Sequence, residues 1–369
     1  MSEASKKEIT AEIDLYRHFR TVLGYPKKTK DDSCSCDFCT AEGKFIEVPK
    51  KIPKRKNPRS YTIDHDRDVY VIGDIHADLI LFLVSLYMMG LIGLDGSLLK
   101  KDYHFYLVQL GDWVDGHRPK GDGNPIYPSD QLYNQHAEQD ILYYMINVLE
   151  DRAYFLSGNH EFMRVCDNQT YMGNNVPFED GVLSHVLIYY SPVILRIGCN
   201  VFSHSLANFD NIAIYEKLIP KTKDGKRIDG IKYINDEAIR LLQTEDLSHD
   251  MLKENKLLYA ILWDREVQGA GEEWCQNIDK YGQLLDQNLV QCGKKAFYFC
   301  GHNVTCKGKV SLEHCEQTRC DKRIFLMDRG ANLGMLGNDS DWVLYAKIPV
   351  HAEKPELFLL PLYKDNGPV

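Results

Sequence analysis

The chain has 369 residues, 44% of them hydrophobic and 26% charged, with a net charge of −9. That length holds one large domain or two ordinary ones, and that balance excludes a disordered polymer. The negative charge gives no reason to expect a general affinity for nucleic acid, although a local patch could still bind it.

Residues 1–60 read as an extension. From Glu8 to Leu23, apolar residues at Ile9, Ile13, Leu15, Tyr16, Phe19, Val22 and Leu23 follow steps of three and four, which predicts a helix. The polar start, Met1-Ser2-Glu3-Ala4-Ser5-Lys6-Lys7, has no apolar core and predicts no signal peptide. Cys34, Cys36 and Cys39 cluster next. They can bind zinc only with a fourth ligand such as Cys315 or Cys320; free loop thiols are the plainer expectation. The eleven cysteines are scattered and odd in number. Reduced thiols in a cytoplasmic or other reducing compartment are therefore expected. Residues 50–59 form a basic linker broken by Pro53 and Pro58. Such a charge run reads as solvated, and as a landing place for an acidic partner.

From residue 61 the pattern changes to strands alternating with helices, and residues 61–363 read as one catalytic domain followed by a short tail, 364–369. Val69–Ile72, His104–Leu110, Ala153–Leu156 and Ala296–Cys300 are apolar runs of strand length. Val193–Phe202 reads as two strands turning at Gly198, and Arg323–Met327, Trp342–Ile348 and Leu357–Leu362 are further strands. Helices are expected at Leu79–Leu91 and Glu138–Leu149, with a helical cap within 208–258. The uncharged stretch Leu79–Leu94 is shorter than the roughly 20 residues of a membrane span. It begins just after His76, so it reads as a buried helix rather than a membrane helix.

Five motifs sit just past strand ends: Gly73-Asp74-Ile75-His76, Gly111-Asp112-Trp113-Val114-Asp115, Gly158-Asn159-His160-Glu161, Ser203-His204 and Gly301-His302. Open α/β sheets place ligands at such ends. Each motif alone is weak, because Asp-x-His pairs and Gly-Asn turns are common. Together they offer carboxylates, an amide and imidazoles, a donor set suited to Mn, Fe or Zn. A carboxylate has two oxygens and can hold two cations roughly 3.5–4 Å apart, and Asp112 is the natural bridge.

This order of motifs resembles the calcineurin-like metallophosphoesterases, nearest the phosphoprotein phosphatase branch, over about residues 68–350. The resemblance implies a four-layer α/β/β/α fold, two mixed sheets flanked by helices. It implies two divalent ions, Mn²⁺ first and Fe or Zn as alternatives. Asp74, His76 and Asp112 would hold one ion; Asp112, Asn159, His204 and His302 would hold the other. Two dications lower the pKa of a shared water, and the resulting hydroxide attacks phosphorus. His160, held by Asp115, is the implied general acid; loop capping is the plainer reading of Asp115. Arg265, after Leu262-Trp263-Asp264, and Arg118 are candidate phosphate ligands beside Asn159. Surface salt bridging is the alternative for both arginines.

The chain departs from that family at four places. Arg118 comes two positions later than the family's arginine, so a changed loop or His117 would have to serve. Ala77 stands where a glycine is usual, and Ser205-Leu206 where the family has Gly-Gly. Residues 119–137 add a stretch that can rim the pocket. The expected activity is hydrolysis of phosphomonoesters, with phosphoserine/phosphothreonine proteins first among substrates. Bis-nucleoside polyphosphate or other phosphodiester hydrolysis is the enzymatic alternative, and a weakened phosphatase-like scaffold is the non-enzymatic one.

Overall fold

The computed structural model describes residues 15–25, 43–100, 102–115, 134–166, 176–269, 271–305, 317–328, 342–350 and 352–361. Two mixed sheets form the centre. One has the order β1-β5-β6-β7-β9-β8 and the other β11-β10-β2-β3-β4. Their strands are β1 (Thr62–Ile63), β2 (Asp68–Ile72), β3 (Phe105–Gln109), β4 (Ala153–Phe155), β5 (Ile194–Ile197), β6 (Asn200–Ser203), β7 (Phe297–Cys300), β8 (Thr318–Arg319), β9 (Ile324–Leu326), β10 (Trp342–Ile348) and β11 (Glu356–Pro361). Side chains alternate between faces along each strand. Val69 and Val71 of β2 and Tyr106 and Val108 of β3 share a core with Leu195, Phe202, Phe299 and Phe325 of the other sheet. The alternate residues Tyr70, Ile72, Phe105 and Leu107 belong to the larger core beneath the helices. Both faces of both sheets are thus buried, which is why the central strands read as continuous apolar runs.

The flanking helices are α1 (Leu15–Val22), α2 (Leu79–Met88), α3 (Ala137–Tyr144), α4 (Asn159–Val165), α5 (Val182–Tyr189), α6 (Ile212–Leu218), α7 (Gly230–Leu242), α8 (His249–Glu254), α9 (Lys256–Trp263) and α10 (Ile278–Leu285). The Asp78 side chain caps α2 by accepting from the Leu81 N–H at 2.9 Å. Seven of the ten α2 residues are buried, so this uncharged stretch is a core helix. Among the described residues no helix is long and apolar enough to cross a membrane. The expected helix over Glu138–Leu149 ends as α3 at Tyr144 and widens to a π-helical turn over Met145–Leu149. Residues 208–258 hold α6, α7 and α8. Asn235 of α7 accepts from the Val193 N–H and donates to the Ile194 carbonyl, both at 2.8 Å, and so fixes α7 to β5.

One expectation is refined and one is corrected. The basic linker is solvated along its lysines, as expected, but it is pinned to the domain by its arginines. Arg59 is buried, its guanidinium 3.7 Å from the centre of the Tyr154 ring, and it donates to the Ala153 and Asp151 carbonyls. Arg55 lies over Tyr190, whose hydroxyl donates to the Pro53 carbonyl. Asn147 holds the carbonyls of Pro49 and Lys51 at 2.8 and 3.0 Å. Backbone carbonyls that proline leaves unpaired are satisfied by these side chains, so the segment is a strap. Lys50, Lys51, Lys54 and Lys56 remain exposed along it.

The thiols are the correction. Cys199 is disulfide-bonded to Cys292, and Cys275 to Cys320, with Cα atoms 5.8 and 5.1 Å apart. The fold brings together residues 93 and 45 apart in sequence. Four cysteines are therefore not reduced thiols, which removes the cysteine argument for a reducing compartment. Cys320 is unavailable as a zinc ligand, while Cys34, Cys36, Cys39 and Cys315 lie outside the described residues. Cys166 and Cys300 are the free cysteines among those described.

Candidate metal centre

Strands β2, β3 and β4 run parallel in one sheet, and β6, β7 and β9 run parallel in the other. Their carboxyl ends deliver Asp74, Asp112, Asn159, His204 and His302 to one place. His204 Nε2 lies 2.9 Å from Asn159 Oδ1, 3.2 Å from His302 Nδ1 and 3.3 Å from Asp112 Oδ2. His76 Nε2 is 3.8 Å from Asp112 Oδ2 and 3.9 Å from Asp74 Oδ2. The tightest potential ligand groups are His76–Asp112–His160 and Asp112–His204–His302, and they share Asp112. Asp74 stands slightly behind the first group. Its two oxygens accept the His302 N–H at 3.1 and 3.2 Å.

The imidazoles differ in the partner of their outer nitrogen. His76 Nδ1 is 3.2 Å from the Asp115 carbonyl, His204 Nδ1 is 2.8 Å from the Leu110 carbonyl, and His302 Nε2 is 3.2 Å from the Trp263 carbonyl. Each ring donates one N–H to a backbone carbonyl and turns its other nitrogen inward, the arrangement by which outer hydrogen bonds orient metal-binding histidines. His160 differs. Its Nδ1 lies 3.1 Å from the Asp115 carboxylate, and its Nε2 is 3.7 Å from Asp112 Oδ2. The donor set and its orientation therefore fit two divalent cations.

The loops are bent into unusual conformations to achieve this. His76, Ala77, Asp112, Asp115 and His302 all have φ between 43° and 58°, a region that costs non-glycine residues roughly 1–3 kcal/mol each. Ala77 thus adopts a left-handed backbone conformation that favours glycine. A Cβ on Gly158 would collide with the Asp112 carboxylate, and one on Gly301 with that of Asp74. These glycines are required for close approach rather than for flexibility. Ser205 and Leu206 turn away from the ligands. The Ser205 hydroxyl donates to the Asp264 carbonyl, and Leu206 is buried in the core.

Burial penalises charge here, and neighbours decide the outcome. His76 is pushed down to about 3 by burial first and then by His160. His302 is also lowered, by burial, then His204 and Arg265. Both shifts favour neutral, ligating imidazole. Burial opposes a charged His160, but Asp112 and then Asp115 outweigh it and raise its pKa to about 9. Burial likewise opposes the Asp112 carboxylate, which His204 and His160 nonetheless hold well below its usual range. Asp74 is raised by burial, then by Asp328 and Asp112.

Arg265 follows α9, and its Nη1 donates to the His302 carbonyl at 2.8 Å. The exposed guanidinium is thereby anchored at the rim beside a ligand. Arg118, with Gly116, His117 and the 119–133 part of the extra stretch, lies outside the described residues.

Sequence reasoning missed three carboxylates. Glu161 is wholly buried and accepts from the N–H groups of Gly158, Asp112, Trp113 and Val114 at 2.6, 2.9, 2.8 and 3.0 Å. It ties the Asp112 loop to the first turn of α4. A Glu three residues after Gly158 was a readable helix-start signal. Asp328, two residues beyond β9, follows the same strand-then-acid pattern as Asp74. Glu138 of α3 accepts from the Asp115 N–H at 2.9 Å; nothing in its local sequence marks it.

No protein-family model and no curated protein sequence matches the chain. Solved structures do. A cold-active protein tyrosine phosphatase superposes with a TM-score of 0.51 at 15% identity, covering 82% of this chain and 81% of that one. The cold-active protein-tyrosine phosphatase of a psychrophilic Shewanella sp. gives 0.50 at 15% identity, over 83% and 86%. A protein serine/threonine phosphatase from Saccharomyces cerevisiae gives 0.47 at 10% identity, over 84% and 85%. The first two carry the comparison, and at such identities the likeness is one of fold: a mixed α/β architecture of two sheets flanked by helices.

Proposed function

We propose that this chain is a metal-dependent phosphoesterase acting on phosphomonoesters, with phosphorylated proteins of the serine/threonine type as its first substrate class. The observation that carries this reading is the pair of potential ligand groups sharing Asp112, one of which includes His160, whose Nδ1 is held by Asp115. His76, Asp112 and Asp74 would hold one cation; Asp112, Asn159, His204 and His302 would hold the other. Bound there, two divalent cations supply Lewis acidity toward phosphate oxygens and a water acidic enough to deprotonate near neutral pH.

The chain's own residues supply the rest. Asp115 accepts from His160 Nδ1 and stabilises the imidazolium, leaving Nε2 to protonate the departing oxygen. Arg265, fixed by the His302 carbonyl, presents its remaining N–H donors as a planar fork for phosphate oxygens. Mn²⁺ is the first ion to try and Fe or Zn the alternatives, since carboxylate and amide oxygens suit the first and imidazoles the others.

The test is hydrolysis by chelator-stripped protein supplied with Mn²⁺, Fe²⁺ or Zn²⁺. Substrates are p-nitrophenyl phosphate, a phosphoserine peptide, a phosphotyrosine peptide and a dinucleoside polyphosphate. Metal-dependent release of phosphate from the first two is expected. Turnover of the dinucleoside alone would move the substrate class, and no turnover with any ion would sink the enzymatic reading.

A further inference from the structure

Arg164 lies one helical turn beyond His160 on α4, so the two side chains share a face. They divide a single carboxylate. His160 Nδ1 is 3.1 Å from Asp115 Oδ2, while Arg164 Nη1 donates to Asp115 Oδ1 at 2.6 Å. The other guanidinium nitrogen, Nη2, donates to Glu138 Oε2 at 2.9 Å, and Glu138 Oε1 accepts the Asp115 N–H, also at 2.9 Å. A ring of contacts closes: Asp115 carboxylate, Arg164, Glu138, Asp115 backbone. The side chains of Asp115, Glu138 and Arg164 are 0%, 1% and 4% exposed. Asp115 holds φ 57° within this ring, and its carbonyl orients His76.

We infer that Arg164, braced by Glu138, is a positioning residue that fixes the Asp115 carboxylate so that His160 aims Nε2 at the leaving oxygen. The inference rests on the phosphoesterase reading for its consequence and on the closed ring for its geometry. A carboxylate gripped by one imidazole alone turns about its Cβ–Cγ bond. A guanidinium on its second oxygen fixes both plane and direction, because such bonds are charge-assisted and directional. The competing explanation is an ion pair that merely joins α4 to α3. That role would lower turnover of every substrate alike; a positioning role weighs most where the leaving group needs a proton.

The experiment uses the full chain loaded with Mn²⁺, and compares phenyl phosphate, a poor leaving group, with p-nitrophenyl phosphate, a good one. General-acid contributions are about 10²–10⁴-fold. Arg164→Gln is accordingly expected to lower kcat for phenyl phosphate about tenfold or more, with a several-fold smaller loss for p-nitrophenyl phosphate and little change in KM. Arg164→Lys should recover part of the loss. In an Asp115→Asn background, Arg164→Gln should add little. Glu138→Gln/Arg164→Gln removes the stranded buried charge and serves if the single variant folds poorly.

A readout independent of turnover is the downfield NMR proton signal of the His160 ring in the chain loaded with diamagnetic Zn²⁺ instead of Mn²⁺, assigned by its loss in His160→Ala. It should shift or broaden in Arg164→Gln. Equal losses on both substrates, additive effects with Asp115→Asn, or an unchanged His160 signal would overturn the inference. If wild type hydrolyses no phosphate ester, the functional reading falls while the ring signal still decides what Arg164 does.

Discussion

Glu161→Gln is the sharpest single perturbation of the centre, because it changes one atom type in a buried residue. In the native chain Glu161 Oε2 accepts from Gly158 and Asp112, and Oε1 accepts from Trp113 and Val114. A glutamine keeps one oxygen. Its amide nitrogen must face two N–H donors, so two bonds are lost and two buried donors are left unpaired. Hydrogen bonds to a charged group contribute about 1.5–3 kcal/mol each. Part of that is returned because a buried charge is removed, which leaves a destabilisation of about 4 kcal/mol. For 369 residues, an unfolding entropy of about 2.1 cal/mol/K per residue makes this a fall in Tm of about 5 °C. The Asp112 loop also loses its tether, so metal content should fall with stability. Circular dichroism melts and metal analysis on the same preparations measure both. A variant that melts like wild type and retains its metal would refute the tether assigned to Glu161.

Further outcomes are equally specific. His160→Ala should cut turnover of phosphate esters with poor leaving groups by about 10²-fold or more while retaining metal; metal loss would reassign His160 as a ligand. Asp112→Asn should reduce the occupancy of both cations together, measured by elemental analysis, and retention of two would contradict the shared carboxylate. Arg59→Ala should destabilise by about 2–4 kcal/mol in chemical denaturation, since it removes a cation–π contact and strands the Ala153 and Asp151 carbonyls. Mass spectrometry of the alkylated, unreduced protein should show Cys199, Cys292, Cys275 and Cys320 protected. Reduction should lower stability by about 2–4 kcal/mol per bridge.

The candidate ligands were legible because each one follows a buried strand, and a strand's apolar run and its terminal turn are both local signals. His76 and Asp112 could be placed without knowing what touches them. Asp115 could be paired with His160 only through a resemblance, and the structure supplies the contact. Arg164 and Glu138 were not legible: their partners lie 49 and 23 residues from them in sequence. The strap was legible only in part, because lysine, arginine and proline describe a solvated linker equally well. What decides is the Tyr154 ring beneath Arg59, which no spacing rule reveals. The cysteines failed for the same reason, since spacing does not fix pairing.

The strap has a consequence for how the chain behaves among its neighbours. β4 is the outer strand of its sheet, and an open strand edge is a template onto which another chain can add. Arg59 occupies the Ala153 carbonyl on that strand, and Arg55 and Pro53 lie against Tyr190 nearby. The segment therefore acts as a guard on a sticky edge. A chain shortened to begin at residue 61 would expose it, and concentration-dependent self-association in light scattering is the expected sign. The same truncation would leave the strand ends that bear the candidate metal ligands untouched.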